Sequence, residues 1–296
     1  MFTAALVLAT LLQAPSAQAQ SSSTLVDDAG RLAAATSNEG RFDALTALLK
    51  ARGLTFTVEP FTIEKAVGRE PRTEGRNVVV TIGDGAETIL IGAHYDAARI
   101  PDGTLSRGAV DNAASSVMLI RLAEALRTEA LPVRVRFVWF DMEELGLLGS
   151  ARYVADHASE RPAAMLNFDI NAFGDTIVFG PSDAKENAAL RRAFVQTCAA
   201  EDVPCVGFPR MPPGDDRSFV KAGVPTISVG IVRALEVHQL WLMMNGVGNS
   251  GLAEGFVPGI VKTLHTADDT VDKLNEATMS RMQRFALTFV RALAKK

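Results

Sequence analysis

Apolar positions along the chain follow two alternating periods, one typical of β-strands and the other typical of α-helices. Short β-rich runs predict strands at 55–63, 77–82, 88–93, 133–140, 164–168, 176–179 and 226–231. Apolar residues spaced by three and four positions predict helices at 38–52, 112–127, 145–158, 184–199 and 276–294, after a short helix within 20–37. In the last helix Met282, Phe285 and Phe289 lie on one stripe, which is expected to be buried.

Strands that alternate with helices indicate a parallel sheet with helices on both faces. We therefore expect an α/β fold, a three-layer α/β/α sandwich whose central sheet is mixed but largely parallel. Residues 20–296 are expected to form this single domain. The stretch 234–262 fits poorly, because it has no clear period and holds Trp241, Leu242 and Met243 side by side. We predict that this stretch is an insertion or lid that passes over the sheet edge.

The composition is that of an ordinary globular protein, with 48% hydrophobic and 22% charged residues. The net charge is −4, and both signs are mixed along the chain without a basic tract. This balance argues against nucleic acid as a partner. The sequence does not predict an oligomeric state.

The first nineteen residues differ from the rest of the chain. Residues 2–12 are almost wholly apolar but too few to span a bilayer, and Ala17-Gln18-Ala19 has the small-x-small pattern of a signal-peptidase site. We predict a signal peptide at 1–19, and hence a periplasmic or secreted protein with no membrane span in the mature chain. The alternative is a buried N-terminal helix, and the absence of Lys or Arg before the apolar run is atypical of a signal.

The chain has two cysteines, Cys198 and Cys205. In an exported protein such a near pair is expected to form a disulfide that closes a small loop. The alternative is two free thiols, one of them buried.

Acidic residues and one imidazole follow the predicted strands, where the ligands of open α/β sheets bind. His94 and Asp96 follow strand 88–93, Glu143 and Glu144 follow strand 133–140, and Asp169 follows strand 164–168. A glycine-containing loop after an expected strand before Ser106 brings in Asp111. Converging carboxylates need cations to offset their repulsion, and imidazole together with carboxylate suits zinc. One Asp can bridge two metals that lie ~3.5–4 Å apart.

Taken singly, each of these residues has a simpler interpretation. His94 could be a satisfied core or surface histidine, and Asp111 is a good helix N-cap. Glu143 and Glu144 would be favourable charges in a first helical turn, and Asp169 could accept hydrogen bonds from loop amides. Their shared position at one predicted edge favours the metal-site interpretation.

A further ligand is expected to be a histidine. His265 lies in a loop before the last helix, which returns it to the same edge, whereas His157 lies on a predicted helix among charged residues and is expected to be solvated. His238, in the stretch 234–262, is the rival of His265.

Five segments carry these residues: GAHYD at 92–96, GAVDNAAS at 108–115, EELGLLGS at 143–150, NFD at 167–169 and HTADDTVDKL at 265–274. In this order they resemble segments of the M28 zinc peptidases, the family of bacterial leucyl and glutamate carboxypeptidase-like enzymes. Each segment is weakly specific, but together they are highly specific and favour His265 over His238. The resemblance covers roughly residues 40–295 and implies a zinc exopeptidase or phosphorylase/hydrolase-like fold.

The resemblance also implies roles for single residues. Asp111 would bridge two Zn²⁺ ions per chain, and the Asp111–Asn112 peptide is expected to be cis. His94 and Asp169 would complete one site, and Glu144 and His265 the other. Glu143 would be the general base, and Asp96 would fix the tautomer of His94. The segment 215–218 resembles a further family segment near the site, without a defined role.

The function implied by the resemblance is that of a metal-dependent aminopeptidase with peptide substrates. A carboxypeptidase or dipeptidase is the alternative on the same site, because Arg217 could capture a free carboxylate. A third alternative is a glutaminyl cyclase, which shares the fold but uses a single zinc ion. The non-enzyme alternative is a binding module that keeps a peptidase fold without its activity. The chain departs from the family at 234–262, where Trp241, Leu242 and Met243 are candidate pocket walls. It has only two tyrosines, Tyr95 and Tyr153, so its oxyanion donor is in doubt, with His238 as a candidate.

Overall fold

The structure of the protein is a computed structural model, and it describes residues 23–246 and 257–295. The predicted signal peptide at 1–19 and part of the stretch 234–262 lie outside the described residues.

A mixed sheet of eight strands forms the centre of the described structure. The strands are β1 (Thr57–Thr62), β2 (Glu74–Ile82), β3 (Thr88–His94), β4 (Arg134–Phe140), β5 (Ala164–Phe168), β6 (Thr176–Gly180), β7 (Cys205–Gly207) and β8 (Thr226–Val232). They lie in the order β1-β2-β4-β3-β5-β8-β6-β7. The four central strands β4, β3, β5 and β8 are parallel to one another, whereas β2 and β6 flank them in antiparallel pairing. The carboxyl ends of the central strands therefore meet at one edge.

Helices cover both faces of the sheet, so the predicted three-layer α/β/α sandwich is confirmed. The helices are α1 (Leu25–Ala33), α2 (Asn38–Ala51), α3 (Ala114–Leu126), α4 (Leu148–Asp156), α5 (Ala188–Ala200), α6 (Asp216–Lys221), α7 (Ala234–Asn245), α8 (Gly259–Thr263) and α9 (Glu276–Ala294). The large core lies between the sheet and the face covered by α1, α2, α3, α5 and α9. A smaller core on the opposite face receives Tyr153 from α4 and Phe219 from α6.

Strand β3 shows why the sequences of the central strands are continuous apolar runs. Ile89 and Ile91 point into the large core, and Leu90 points into the smaller one. A parallel strand buried on both faces has no solvent side, so its sequence does not alternate. The strand ends at His94, the first polar residue that its register brings to the carboxyl edge.

Several predicted elements differ from the structure. The strand expected directly before Ser106 is not formed in the described loop after β3, which holds only an isolated bridge between Arg99 and Leu105. The helix predicted at 145–158 begins at Leu148, because Gly146 and Leu147 have φ values of 101° and 65° and cannot be helical. The sequence also did not predict β7 or α6, both of which are very short.

The stretch 234–262 begins as the regular helix α7 rather than as an aperiodic segment. Val237 and Leu240, spaced by three residues, anchor this helix on a third apolar cluster, and Ile260 of α8 joins them. Apolar residues on the remaining faces of α7 hid its period. Whether this stretch acts as a lid stays a prediction.

A disulfide joins Cys198 of α5 to Cys205 of β7, as expected from their spacing. It ties the edge strand of the sheet to a helix of the large core. None of the helices within 23–246 and 257–295 combines the length and the hydropathy needed to cross a bilayer.

Candidate metal centre

His94, the last residue of β3, presents its imidazole at the carboxyl edge of the sheet. The residue is 2% exposed. Its carbonyl oxygen accepts a hydrogen bond from the Ser116 hydroxyl at 2.8 Å, and its Nδ1 lies 3.2 Å from the carbonyl oxygen of Asp96. With Nδ1 held on that side, Nε2 points towards Asp111.

Asp111 lies between the two imidazoles that the sequence singled out. Its Oδ1 is 3.0 Å from Nε2 of His94, and its Oδ2 is 3.2 Å from Nε2 of His265. The peptide between Asp111 and Asn112 is cis, as the family resemblance implied. The two oxygens of one buried carboxylate thus face different histidines.

Asp169 follows β5 and completes a first group of three ligands. Its Oδ1 lies 3.7 Å from Nε2 of His94. The Asn112 side chain links this loop to the Asp111 turn. Its Nδ2 donates to the Phe168 carbonyl at 3.0 Å, and its Oδ1 accepts from the Ile170 backbone N–H at 3.4 Å. His94, Asp111 and Asp169 each offer an atom, and these atoms lie within 4.8 Å of one another.

Glu144 and His265 form a second group with the same Asp111. The Oε2 atom of Glu144 lies 2.9 Å from Nε2 of His265, and the three ligand atoms again lie within 4.8 Å of one another. His265 has a φ of 57° and a side chain that is 59% exposed. The second group is therefore accessible to solvent at His265, whereas the imidazole of the first group, His94, is buried.

The donor atoms of both groups fit divalent cations. The buried side-chain atoms that lack a hydrogen-bond partner within the described residues include His94 Nε2, Asp169 Oδ1 and Glu144 Oε1. Buried polar atoms are rarely left unpaired, and each of these three belongs to one of the two groups. Imidazole and carboxylate donors together suit zinc better than calcium or magnesium.

The electrostatics of the two groups agree with this fit. Burial, reinforced by the charge of Asp111, raises the pKa of Glu144 to about 7. Interactions with Asp111 and Glu144 raise the pKa of His265 to about 11. Without a cation, the protein would have to hold protons here to offset the converging negative charges.

Asp96 acts on the glutamates as much as on His94. Its Oδ1 is 3.5 Å from Nδ1 of His94, while its two carboxylate oxygens accept hydrogen bonds from the amides of Glu143 and Glu144 at 3.1 and 3.2 Å. The predicted contact with His94 is made mainly by the Asp96 carbonyl. The carboxylate itself fixes the turn that carries both glutamates.

Sequence reasoning missed two buried residues beneath the centre. Asp269 accepts hydrogen bonds from the amides of Val110 and Asp111. Arg41 of α2 donates to the carbonyls of Tyr95, Arg107 and Gly108, and so ties the loop after β3 to the turn before Asp111. Asp269 was visible in the segment 265–274, whereas nothing in the sequence separates Arg41 from a surface arginine of an amphipathic helix.

The other two histidines and both tyrosines lie outside the two candidate ligand groups. His238 is exposed on α7 and belongs to neither ligand group. His157 was expected to be solvated, but its side chain is only 22% exposed, because its ring stacks on Tyr153 and its nitrogens face Glu59 and Glu160. The Tyr153 hydroxyl accepts from Arg136, and the Tyr95 hydroxyl donates to the Arg76 carbonyl, so both tyrosine hydroxyls are engaged away from the two ligand groups.

An apolar cavity of about 70 Å³ adjoins the first ligand group. Asp169 lines it together with Phe208, Leu240, Ile260 and Leu264. The predicted wall residues Trp241, Leu242 and Met243 are not among its described lining residues. Helix α7 contributes Leu240 instead, because that residue is on its buried face.

A match to a known family covers most of the chain, and all five segments named from the sequence lie within it. The model of peptidase family M28 matches residues 77–290. Leucine aminopeptidase 1 of Arthroderma otae is 27% identical over 232 residues, which cover 74% of this chain and 58% of that protein. The chain therefore spans little more than half the length of this curated relative.

Solved structures of similar fold include two enzymes with different names. The zinc aminopeptidase BSAP from Bacillus subtilis matches with a TM-score of 0.69 and 12% identity, covering 90% of this chain and 94% of that chain. Glutaminyl cyclase from Porphyromonas gingivalis matches with a TM-score of 0.69 and 19% identity, with the same coverage. At such identities the likeness shows the fold alone. The family match is more specific, because it spans all five ligand residues of the two groups, and on this basis the chain belongs to peptidase family M28.

Proposed function

We propose that the protein is a zinc-dependent aminopeptidase that holds two ions, one in each ligand group. The observation that carries this proposal is the position of Asp111, whose two oxygens face His94 and His265 separately. A carboxylate so placed suits a bridging ligand between two ions. The family match and the aminopeptidase names of the relatives support the same activity.

The chain's own residues account for proton transfer in peptide hydrolysis. Zinc, when bound, would supply positive charge that polarises the peptide carbonyl and eases proton loss from water. The Glu143 carboxylate would take that proton and deliver it to the leaving amine nitrogen. Its backbone is fixed for this role by the hydrogen bond from its amide to Asp96.

The cavity beside Asp169 supports a preference for a small apolar N-terminal residue. Its lining by Phe208, Leu240, Ile260 and Leu264 offers contact to an aliphatic side chain. Asp169 of the first candidate ligand group lines the same cavity, so an N-terminal side chain bound there would lie beside that group. Peptides with an unblocked N-terminus are therefore the proposed substrates.

Glutaminyl cyclase is the second candidate, because the Porphyromonas gingivalis enzyme overlaps with nearly the whole of this fold. A single-zinc cyclase would need only one of the two groups, whereas this chain keeps donors for both. A carboxypeptidase or dipeptidase would need a cation for the substrate carboxylate. Arg217 is exposed beside the buried Asp216 and is the candidate on which that alternative depends.

We also propose that the protein is exported. The disulfide between Cys198 and Cys205 supports this, because disulfides persist in oxidising compartments such as the periplasm.

A panel of aminoacyl-p-nitroanilides tests the activity, together with N-acetylated versions of each and a chelator control. Hydrolysis of free leucyl or valyl substrates, lost with chelator and restored by zinc, is expected, with two zinc ions per chain by elemental analysis. Hydrolysis of the blocked substrates would rule out a strict aminopeptidase. One zinc per chain and pyroglutamate formed from glutaminyl peptides would establish the cyclase instead.

A further inference from the structure

A second cavity lies at the end of the sheet opposite the metal centre. Its volume is about 360 Å³, within the usual range for sites of small organic ligands. Thr88 and Arg134, the first residues of β3 and β4, line it, whereas His94 is the last residue of β3. Leu90 is the lining residue of β3 nearest to His94, so about 13 Å of strand separates this cavity from the ligand groups.

The cavity has an apolar floor because short helices cover this face of the sheet. Helix α4 has 9 residues and α6 has 6, and the cavity opens between their C-terminal ends. Leu90 and Val224 reach it from the sheet side, and Phe219 and the ring of Tyr153 reach it from the helices. An aliphatic or aromatic group would be removed from water on this floor.

The rim of the cavity carries an excess of positive charge. Three arginines line it, Arg134, Arg136 and Arg161, against the single carboxylate of Glu160. Arg136 pairs with Glu160, but among the described residues Arg134 and Arg161 form no ion pair. The Nε atom of Arg136 is buried and has no hydrogen-bond partner within the described residues.

We propose that this cavity binds a small organic carboxylate with an apolar body, at a site separate from the metal centre. The carboxylate would lie against Arg134 and Arg136, whose planar guanidinium groups match two oxygens of one carboxylate. The body would lie on Leu90 and Phe219. A carboxylate with an apolar body suits this cavity better than a phosphate does, because most of the surface beneath the charged rim is apolar. This proposal does not depend on the aminopeptidase activity.

Isothermal titration calorimetry of the zinc-loaded enzyme with 4-phenylbutanoate tests the proposal, with 4-phenylbutanamide as the uncharged probe. Saturable binding of the carboxylate is expected, with the amide at least about tenfold weaker because it loses the charge-assisted hydrogen bonds. Arg134→Gln and Arg136→Gln should each weaken carboxylate binding about tenfold or more. Ala158→Trp, at an exposed lining residue, should block the cavity without changing its charge.

Two controls separate this site from other sources of binding. Arg152→Gln removes an exposed arginine of α4 that pairs with Asp156 outside the cavity, and it should leave the affinity unchanged. His265→Ala should also leave probe binding unchanged. Binding that is lost in His265→Ala but kept in Arg134→Gln would place the probe at the metals and overturn the proposal. Equal affinity for the amide, or no saturable heat at millimolar probe, would overturn it as well.

Discussion

The carboxylate of Asp269 lies behind Asp111 and holds its backbone in place. One oxygen of Asp269 accepts from the Val110 amide at 2.6 Å and the other accepts from the Asp111 amide at 3.1 Å. Asp269 is fully buried, although it follows the exposed Asp268. The residue that faces both imidazoles is therefore oriented by a second carboxylate, which belongs to neither candidate ligand group.

Asp269→Asn should weaken the metal centre without removing any ligand. The amide of Asn has one acceptor oxygen, so one of the two backbone hydrogen bonds is lost. Changes in groups that orient metal ligands typically cost about 10–100-fold in metal affinity or activity. Zinc affinity should fall by this factor in competition with a chromophoric chelator. Asp268→Asn is the matched control, and an equal loss in that variant would contradict the assigned role.

Asp96→Asn should lower kcat more than it lowers zinc content. The Asp96 carboxylate accepts from the amides of Glu143 and Glu144, so the variant loosens the turn that carries Glu143, the proposed general base. We expect a fall of about 10–100-fold in kcat, with most of the zinc retained. Asp102→Asn, at an exposed residue of the same loop, is the control. A variant that loses zinc and activity in proportion would show that Asp96 acts on the ligands alone.

The adjacent glutamates should respond differently to the same substitution. Glu143→Gln should retain two zinc ions and lose about 10²–10⁴-fold in kcat, because it removes general acid–base catalysis. Glu144→Gln should lose zinc, since Glu144 offers a ligand atom to the group that contains His265. Elemental analysis beside steady-state kinetics separates these outcomes. If Glu143→Gln lost zinc and Glu144→Gln retained it, Glu143 would be the metal ligand and Glu144 the general base.

The regular parts of the fold were predictable because burial on both faces leaves a strong pattern. Strand 88–93 and helix 276–294 agree with β3 and α9 to within one residue. The elements that were missed have another origin. Strand β7 has 3 residues, too few for a period, and it is fixed by pairing with β6 and by the disulfide. Helix α7 has apolar residues on more than one face, which hides its spacing.

The five residues of the two candidate ligand groups could be selected from the sequence because each follows a predicted strand or lies in a family segment. The residues that orient them were less predictable. Asp96 was expected to act through His94, but its carboxylate bonds to two amides, and such contacts depend on loop conformation. Arg41 comes from a helix more than fifty positions before its carbonyl partners, so no local pattern could connect them.

The disulfide should contribute to stability through the edge of the sheet. Cys198 and Cys205 are 7 positions apart, and the loop-entropy relation for so short a loop gives ~2–3 kcal/mol. The double variant Cys198→Ser/Cys205→Ser should lose about this much free energy of unfolding in urea denaturation. Adding a thiol reductant should destabilise the wild-type protein and leave the double variant unchanged. A reductant effect of the same size in both proteins would contradict this account.

Arg41→Met should destabilise the protein far more than removal of a surface arginine. The Arg41 guanidinium is fully buried, and it donates to the carbonyls of Tyr95, Arg107 and Gly108 at 2.5, 2.7 and 3.1 Å. Leaving these carbonyls unpaired costs ~1–3 kcal/mol each, so we expect a loss of at least about 3 kcal/mol in urea denaturation. Arg127 is the matched control, because it also donates to two carbonyls but is exposed. Arg127→Met should cost less than about 1 kcal/mol, and equal losses in the two variants would show that burial adds nothing to the role of Arg41.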